Sequence, residues 1–373
     1  MKKIMLVFGT RPDAVKMSPL VLELRKRSGF KVIVTVTGQH RTMLDDVLSV
    51  FGIVPDYDLS VMRDRQSLFD VMTGVLNGMR PVLEREKPDI VLVHGDTTTA
   101  FATALACFYL HIPVGHVEAG LRTDDILAPF PEELDRRCID LISAIDFAPT
   151  QSAADALIRE GKAPDKVFVT GNTVVDALKA TVSGDYTHPV LEKTGEGRLI
   201  LITAHRRENI GEPMQRCFRA IREVLEEHPD CRALLPMHPN PAVRAIALSE
   251  FSESPQVELT EPLNVRDWHN LEAQCYLCLT DSGGVQEELP YLGKPVLIMR
   301  DRTERLEGVR SGAARLVGTD PDVIRKSFSE LLDDRTEYEK MAQVRQPYGD
   351  GNACSRIADC LLSEKNGKAE EKS

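Results

Sequence analysis

The sequence predicts an α/β protein of two doubly wound domains, each built on a parallel sheet. Three observations carry this expectation. Short β-branched runs alternate with longer amphipathic stretches along most of the 373 residues, which is the pattern of βαβ units. Runs such as 32–36 and 90–93 are almost continuously apolar, as strands covered on both faces must be. The alternation lapses over 182–197, where Ser183-Gly184-Asp185-Tyr186-Thr187-His188-Pro189 and Thr194-Gly195-Glu196-Gly197 read as a linker, and then restarts. The length also exceeds one ordinary domain and suits two.

In the first half, strands are expected at 3–8, 31–37, 89–94, 113–117, 146–148 and 166–170. Helices are expected at 14–27, 67–86, 97–110, 132–143 and 153–160. In the second half, strands are expected at 198–203, 232–236, 257–260, 276–280, 295–299 and 314–317, with helices between them. The tail from 364 to 373 is charged and should fray. These boundaries give a first domain at 1–182 and a second at 183–351. Ligands of open parallel sheets bind at the carboxyl edge, so a cleft between two such edges suits a bipartite ligand.

Composition narrows the function. Hydrophobic content of 42% and charged content of 28% are those of a soluble globular chain. A net charge of -11 speaks against a general nucleic-acid or acidic-membrane partner. No apolar run approaches the ~20 residues of a membrane span. Met1-Lys2-Lys3-Ile4 begins as a signal peptide does, but Gly9-Thr10-Arg11-Pro12-Asp13 interrupts it, so a first strand is expected. Of the eight cysteines, only Cys275-x-x-Cys278 has metal-like spacing. It lacks a second pair or a suitably spaced histidine, so a reduced, cytoplasmic protein without a metal is the simpler expectation.

The residues with chemical potential gather at expected strand ends. The run into Gly115-His116-Val117-Glu118-Ala119-Gly120 ends in a carboxylate, and Asp89-Ile90-Val91-Leu92-Val93-His94-Gly95-Asp96 ends likewise. Pro131-Glu132-Glu133 adds carboxylates at a helix start. Asp96 also suits an N-cap, and Glu132 and Glu133 suit a first helical turn. Glu118 has no such structural excuse. Neighbouring carboxylates split their pKa values, so that one keeps a proton while another takes one. Arg11 and Lys16 bracket the first turn as a candidate anion site, although a solvated arginine and lysine are the commoner outcome. Thr280-Asp281-Ser282-Gly283-Gly284-Val285-Gln286-Glu287-Glu288 reads as a strand, a glycine turn and a helix start. The amides of Ser282, Gly283 and Gly284 would seat a phosphate, with Glu288 placed to accept ribose hydroxyls. An ordinary capped helix is the alternative there. Thr203-Ala204-His205-Arg206-Arg207-Glu208-Asn209 adds a histidine that would be cationic beside a diphosphate. His238 and His94 suit structural roles equally well. Arg305 lies in a charged loop after the strand at 295–299.

Taken together, FGTRPDAVK, TGQHRTML, HGDTTT, GHVEAGLRT, PFPEE, TAHRREN, MHPNP, TDSGGVQEE, LGKPV and TERLEG resemble the non-hydrolysing UDP-N-acetylglucosamine 2-epimerases. The matches span residues 4 to 318 in the family's order. The resemblance implies a GT-B fold with its active site in the interdomain cleft and a last helix, about 352–373, crossing back to the first domain. It implies reversible interconversion of UDP-GlcNAc and UDP-ManNAc, with no cofactor. UDP would leave from C1 as a carboxylate takes the C2 proton, giving a 2-acetamidoglucal that is then reprotonated on its other face. Asp96, Glu118 and Glu132 would be the acid/base set, with their faces unassigned, and His205 the leaving-phosphate partner. Arg11 and Lys16 would close on UDP, and Ser282, Gly283 and Gly284 would seat its diphosphate. Glu288 would hold the ribose, Trp268 would stack on uracil, and Arg305 would complete the site. Gln39, Arg65 and Arg206 match an allosteric UDP-GlcNAc site, and a homodimer is implied.

Four departures stand out. Asp13 replaces the family's usual Glu, Asp135 its Asn, Leu306 its Pro, and Thr42 the Gln of allosterically regulated members. The last weighs against activation. The alternatives are the same chemistry on another UDP-2-acetamido sugar such as a diacetamido-uronic acid, a hydrolysing epimerase, a GT-B glycosyltransferase, or a non-catalytic UDP-sugar sensor.

Overall fold

The structure, a computed structural model, describes residues 1–370 except 39, 40, 64, 65, 124 and 345, with side chains also left out at 41–43 and 364–370. The chain forms two compact units, Met1–Ala180 with Gly349–Ser373, and Thr181–Tyr348. Among the described residues, no helix is long and apolar enough to cross a membrane.

The first unit is built on a seven-stranded sheet. Its strands are β1 (Lys2–Phe8), β2 (Phe30–Val36), β3 (Tyr57–Asp58), β4 (Ile90–His94), β5 (Val114–Val117), β6 (Ile145–Ala148) and β7 (Val167–Val169). Their order is β3-β2-β1-β4-β5-β6-β7, and every pair is parallel. Parallel neighbours require crossover helices, which the amphipathic stretches supply. Met5, Val7, Val91 and Val93 are buried against the helices Leu68–Glu86 and Thr98–Tyr109. Caps fix where the helices begin. Thr10 accepts from Asp13 N, Ser67 and Asp70 form a capping box, and Thr97 accepts from Ala100 N. The last helix, Ala353–Glu370, belongs to this unit. The Asp176 carboxylate caps it by accepting from Ala353 N at 3.2 Å and Cys354 N at 3.0 Å, and Arg27 donates to Ser355 Oγ at 2.8 Å.

The second unit carries β8 (Arg198–Thr203), β9 (Cys231–Pro236), β10 (Val257–Thr260), β11 (Leu277–Thr280), β12 (Val296–Ile298) and β13 (Ala314–Leu316). They form a parallel six-stranded sheet in the order β10-β9-β8-β11-β12-β13. The helix Glu212–Glu227 packs Phe218, Ile221 and Leu225 into its core. Within 182–197, where the apolar periodicity lapses, a short helix Pro189–Thr194 forms. His188 caps it, and Val190 is buried.

Each sheet reverses its order once, at β1 beside β4 and at β8 beside β11. Loops leaving adjacent strands in opposite directions open a crevice at the carboxyl ends. Most of the candidate motifs follow these four strands and β5, and Arg305 follows β12.

Candidate active site

In the first unit, β1 ends at Gly9, where an added Cβ would stand 2.0 Å from Thr37 Oγ1. Only glycine lets the chain turn there into the helix Arg11–Lys26. Arg11 begins that helix half-buried, and Lys16 is buried one turn later. Glu118 follows β5 with φ 66°, a left-handed conformation that L residues other than Gly, Asn and Asp adopt rarely and at a cost of roughly 1–3 kcal/mol. The strain turns its carboxylate into a prepared setting. Lys16 Nζ pairs with it, Asn172 Nδ2 donates to Oε2 at 2.6 Å, and His94 Nε2 stands 3.7 Å from Oε2. His94 Nδ1 faces Asp13 Oδ1 at 3.4 Å, and Asp13 Oδ2 accepts from Thr97 Oγ1 at 3.2 Å. The buried Nε2 of His94 makes no hydrogen bond. The imidazole thus lies between the carboxylates of Asp13 and Glu118.

Asp96 is not the cap of the helix that follows it. Thr97 takes that role, and Asp96 pairs with Arg136. Glu132 opens the helix Glu132–Ile142 half-buried. Its neighbour Glu133 is fully buried and structural. It accepts from Thr123 N at 3.0 Å and Arg137 Nε at 2.7 Å, tying the preceding loop to the helix. One turn further on, Asp135 is buried and accepts from Thr98 Oγ1 at 3.3 Å. Burial pushes its carboxyl group up to about 7, the charges of Asp96 and Glu132 add to this, and Thr98 opposes it. Of these carboxyl groups, Asp135 is the one that burial moves toward keeping a proton.

Behind this edge, His116 Nδ1 meets Asp140 Oδ1 at 2.5 Å, and Arg122 Nη1 meets Asp140 Oδ2 at 2.7 Å. Burial disfavours charge on both partners, but their mutual attraction wins. His116 is raised, and Asp140, with Arg122 also beside it, is lowered. This buried ion pair holds β5 against the helix Glu132–Ile142. His116 Nε2 also meets Gly95 O at 2.7 Å, tying β5 to the loop after β4.

In the second unit, the buried Asp281 carboxylate organises the loop after β8. It accepts from His205 N and Arg206 N at 3.0 Å and from Asn209 Nδ2 at 3.3 Å. His205 stacks on His238, with ring centroids 5.6 Å apart. Burial lowers the His205 pKa. Arg206 and His238 act the same way, and Asp281 opposes them. Without a diphosphate the imidazole is therefore held neutral, and the cationic form expected from the sequence would need the anion itself.

The helix Gly283–Tyr291 has Ser282 as its N-cap, yet the Ser282 side chain makes no capping bond. An ordinary capped helix is thus not what forms. Arg305 lies over its first residue, and a Cβ on Gly283 would stand 2.9 Å from Arg305 Cζ. Arg305 is held by Glu287, at 3.1 Å from Nε, and by Glu304. Glu304 is buried, but Arg305, Arg300 and Arg206 keep its pKa well below the usual range. Glu288 is buried within the helix, and Trp268 is half-buried on the helix Val265–Gln274. Arg206 Nη2 is 3.9 Å from Glu304. Gln39 and Arg65 lie outside the described residues, as does the Thr42 side chain.

The structure thus gathers Lys16 and Glu118 into one cluster and Asp96 into an adjacent one, with Asp135 close to both Asp96 and Glu132. It gathers His205 with Arg206, and Gly283 with Arg305. Sequence reasoning missed Asn172, the raised pKa of Asp135, and the loop-organising part of Asp281. A signal existed for Asn172, since Gly171-Asn172 follows an expected strand end, as Gly95-Asp96 does. The first set can give and take protons, and the second can hold a phosphate at a helix N-terminus beneath a guanidinium.

A family model described as UDP-N-acetylglucosamine 2-epimerase matches residues 22–362. The UDP-N-acetylglucosamine 2-epimerase of Bacillus subtilis is 54% identical over 360 residues, covering 96% of this chain and 95% of that protein. A structure of S. aureus MnaA with UDP superposes with TM-score 0.93 at 45% identity, covering 98% and 97% of the two chains. The Neisseria meningitidis UDP-GlcNAc 2-epimerase, solved bound to UDP-GlcNAc, superposes with TM-score 0.91 at 45% identity, covering 97% and 100%. The two parallel sheets with alternating helices are of the GT-B class.

Proposed function

The chain belongs to the UDP-N-acetylglucosamine 2-epimerase family, and we propose that it interconverts UDP-GlcNAc and UDP-ManNAc by eliminating and re-adding UDP. The observation that carries this reading is Glu118, a strained and buried carboxylate held by Lys16, Asn172 and His94 at a strand end. A purely binding protein gains nothing from that arrangement.

The C2 proton of a 2-acetamido sugar is not acidic by itself, because no carbonyl adjoins it. As the C1–O bond breaks, its electron pair goes to the diphosphate and positive charge grows at C1. The C2–H bond then yields its proton to a carboxylate and its electrons to a C1=C2 double bond. The products are UDP and an enzyme-held 2-acetamidoglucal. A proton returned to the other face of C2, with UDP rejoining C1, completes the inversion. This needs acid/base groups on two faces and strong stabilisation of the leaving anion.

Asp96, Glu118 and Glu132 are assigned to the proton transfers, and Asp135 joins them as a carboxyl group raised to about 7. His205, Arg305 and the amides of Gly283 and Gly284 take the diphosphate, with Arg11 and Lys16 contributing cations; the Ser282 amide, expected to join them, donates instead to Thr280 Oγ1 at 2.9 Å. His205 becomes cationic as the anion arrives. Glu288 receives the ribose and Trp268 the uracil. The solved relatives named with UDP and UDP-GlcNAc support this ligand class. The family resemblance adds activation by a second UDP-GlcNAc, through Gln39, Arg65 and Arg206, and a homodimer. Initial rates on UDP-ManNAc with and without trace UDP-GlcNAc test the first, and light scattering tests the second.

Carbon and phosphorus NMR of UDP-GlcNAc with the protein separates the non-hydrolysing reaction from its rivals. The reading expects an equilibrium of two UDP-sugars with no free sugar. Accumulation of UDP and free ManNAc would instead make it a hydrolysing enzyme, and turnover only on another UDP-2-acetamido sugar would reassign the substrate.

A further inference from the structure

Glu272 is a buried acid that the proposed reaction does not use. It lies on the helix Val265–Gln274 with its side chain fully enclosed, and neither carboxylate oxygen has a hydrogen-bond partner. A buried ionised carboxylate without a partner costs several kcal/mol. Two polar side chains stand close to it, those of Glu288 and His269. Oxygens of Glu272 and Glu288 and a ring nitrogen of His269 all fall within 4.8 Å of one another. His269 Nε2 stands 3.9 Å from Glu288 Oε1, and its Nδ1 is engaged by Thr181 Oγ1 at 2.6 Å. The remaining neighbours are Trp268 on the same helix and Cys275 and Cys278 around β11. None of these brings a fixed cation to Glu272.

A proton resolves this arrangement. Protonation turns one orphaned acceptor into a donor and removes the buried charge at the same time. The acidic side chain placed to receive that hydrogen bond is Glu288. Burial first, and the Glu288 carboxylate second, raise the Glu272 carboxyl group well above its ordinary value, while Trp268 pulls weakly the other way.

We propose that Glu272 is a positioning residue that donates its proton to the Glu288 carboxylate and so fixes that carboxylate toward the ribose of a bound uridine nucleotide. This rests on the ribose assignment of Glu288 given above. A carboxyl-to-carboxylate hydrogen bond is short and charge-assisted. It leaves the outer lone pairs of Glu288 aimed in one direction, which is what two vicinal hydroxyls require. Glu272 itself never meets the nucleotide.

UDP binding by calorimetry at pH 8, on wild type, Glu272→Gln, Glu272→Leu and Glu288→Gln, tests the proposal. Leucine fills a similar volume but donates nothing, while the glutamine amide still donates. UDP affinity should fall about 10-fold in Glu272→Leu, as for loss of a hydrogen bond to a charged group, and stay within about 2-fold of wild type in Glu272→Gln. An infrared difference between wild type and Glu272→Gln should show a protonated carboxylic-acid C=O band belonging to wild type. Glu288→Gln should weaken UDP more than either Glu272 variant.

Wild-type affinity in Glu272→Leu, equal losses in the Leu and Gln variants, or no acid band in the difference spectrum would each overturn the positioning role. Those outcomes leave the ribose reading intact as long as Glu288→Gln weakens UDP. Unchanged UDP binding in Glu288→Gln overturns the ribose reading and the proposal with it. Melting curves on all four proteins separate these results from misfolding.

Discussion

The two sheets share one topology and carry opposite chemistry at their carboxyl edges. After β4 and β5 and at the helix Glu132–Ile142, the first unit presents acids, and three of them have counterparts from their own unit. Glu118 has Lys16 and Asn172, Asp96 has Arg136, and Asp135 has Thr98. After β8, β11 and β12, the second unit presents donors, namely two glycine amides, an imidazole and a guanidinium. Its buried acids face inward and hold those donors. Asp281 grips the His205 loop, and Glu304 and Glu287 grip Arg305. On the proposed function, one scaffold hosts a proton-handling edge and an anion-holding edge, and the difference lies in the loops.

The sharpest way to break this contrast is Glu118→Gln. It should lower proton exchange at C2 by about 10²–10⁴-fold, the usual worth of a general base, and leave UDP affinity within about 2-fold. A parallel loss of UDP binding would mean the two edges are not separable. Gly283→Ala should do the reverse. Its methyl group would meet Arg305 Cζ at 2.9 Å, so UDP affinity should fall about 10-fold or more as Arg305 is displaced. Turnover at saturation should change less.

Asn172→Ala removes a 2.6 Å hydrogen bond to Glu118 and should lower kcat about 10-fold, by the worth of a hydrogen bond to a charged group. An unchanged kcat would mean that this hydrogen bond does not position the carboxylate for the reaction.

Asp135→Asn should act mainly through pH. The folded carboxyl is raised to about 7 from an unfolded value of about 3.9. The native state therefore binds the extra proton, and wild-type stability falls as pH rises between those two values. The Asn variant lacks this loss. Its melting temperature should gain on wild type from pH 5 to pH 7.5 and run parallel to it at higher pH. In rate measurements, any limb near pH 7 should be absent from the variant. A constant difference in melting temperature across pH 5–8 would place the ionisation elsewhere.

The smallest effect contrasts two helix starts. Thr97→Ala removes a working cap and should cost about 1 kcal/mol. Ser282→Ala removes a side chain that caps nothing and should stay within about 0.5 kcal/mol. Denaturant titration of both variants reads this directly.

The longer strands were legible in the sequence because burial on both faces writes them as apolar runs. The expected 198–203 and 257–260 coincide with β8 and β10. What escaped was short or locally ambiguous. β3 has only two residues, and the helices Arg41–Val50 and Thr173–Thr181 lie where no element was expected. The helix Pro189–Thr194 sits inside the expected linker, because a histidine cap and one buried valine suffice for six residues. The motifs that bear the site were visible as residue types at strand ends. Their states were not. The raised pKa of Asp135 comes from burial and from neighbouring charges. The neutral His205 and the orphaned Glu272 arise likewise, and one-dimensional spacing carries none of these.

The central claim is that this fold moves the C2 proton while holding UDP. Incubation of UDP-GlcNAc with the protein in deuterated water, followed by proton NMR, tests it most directly. The account predicts deuterium at C2 as UDP-ManNAc appears. Protein that is folded and binds UDP, yet leaves C2 protonated in both sugars, would contradict it.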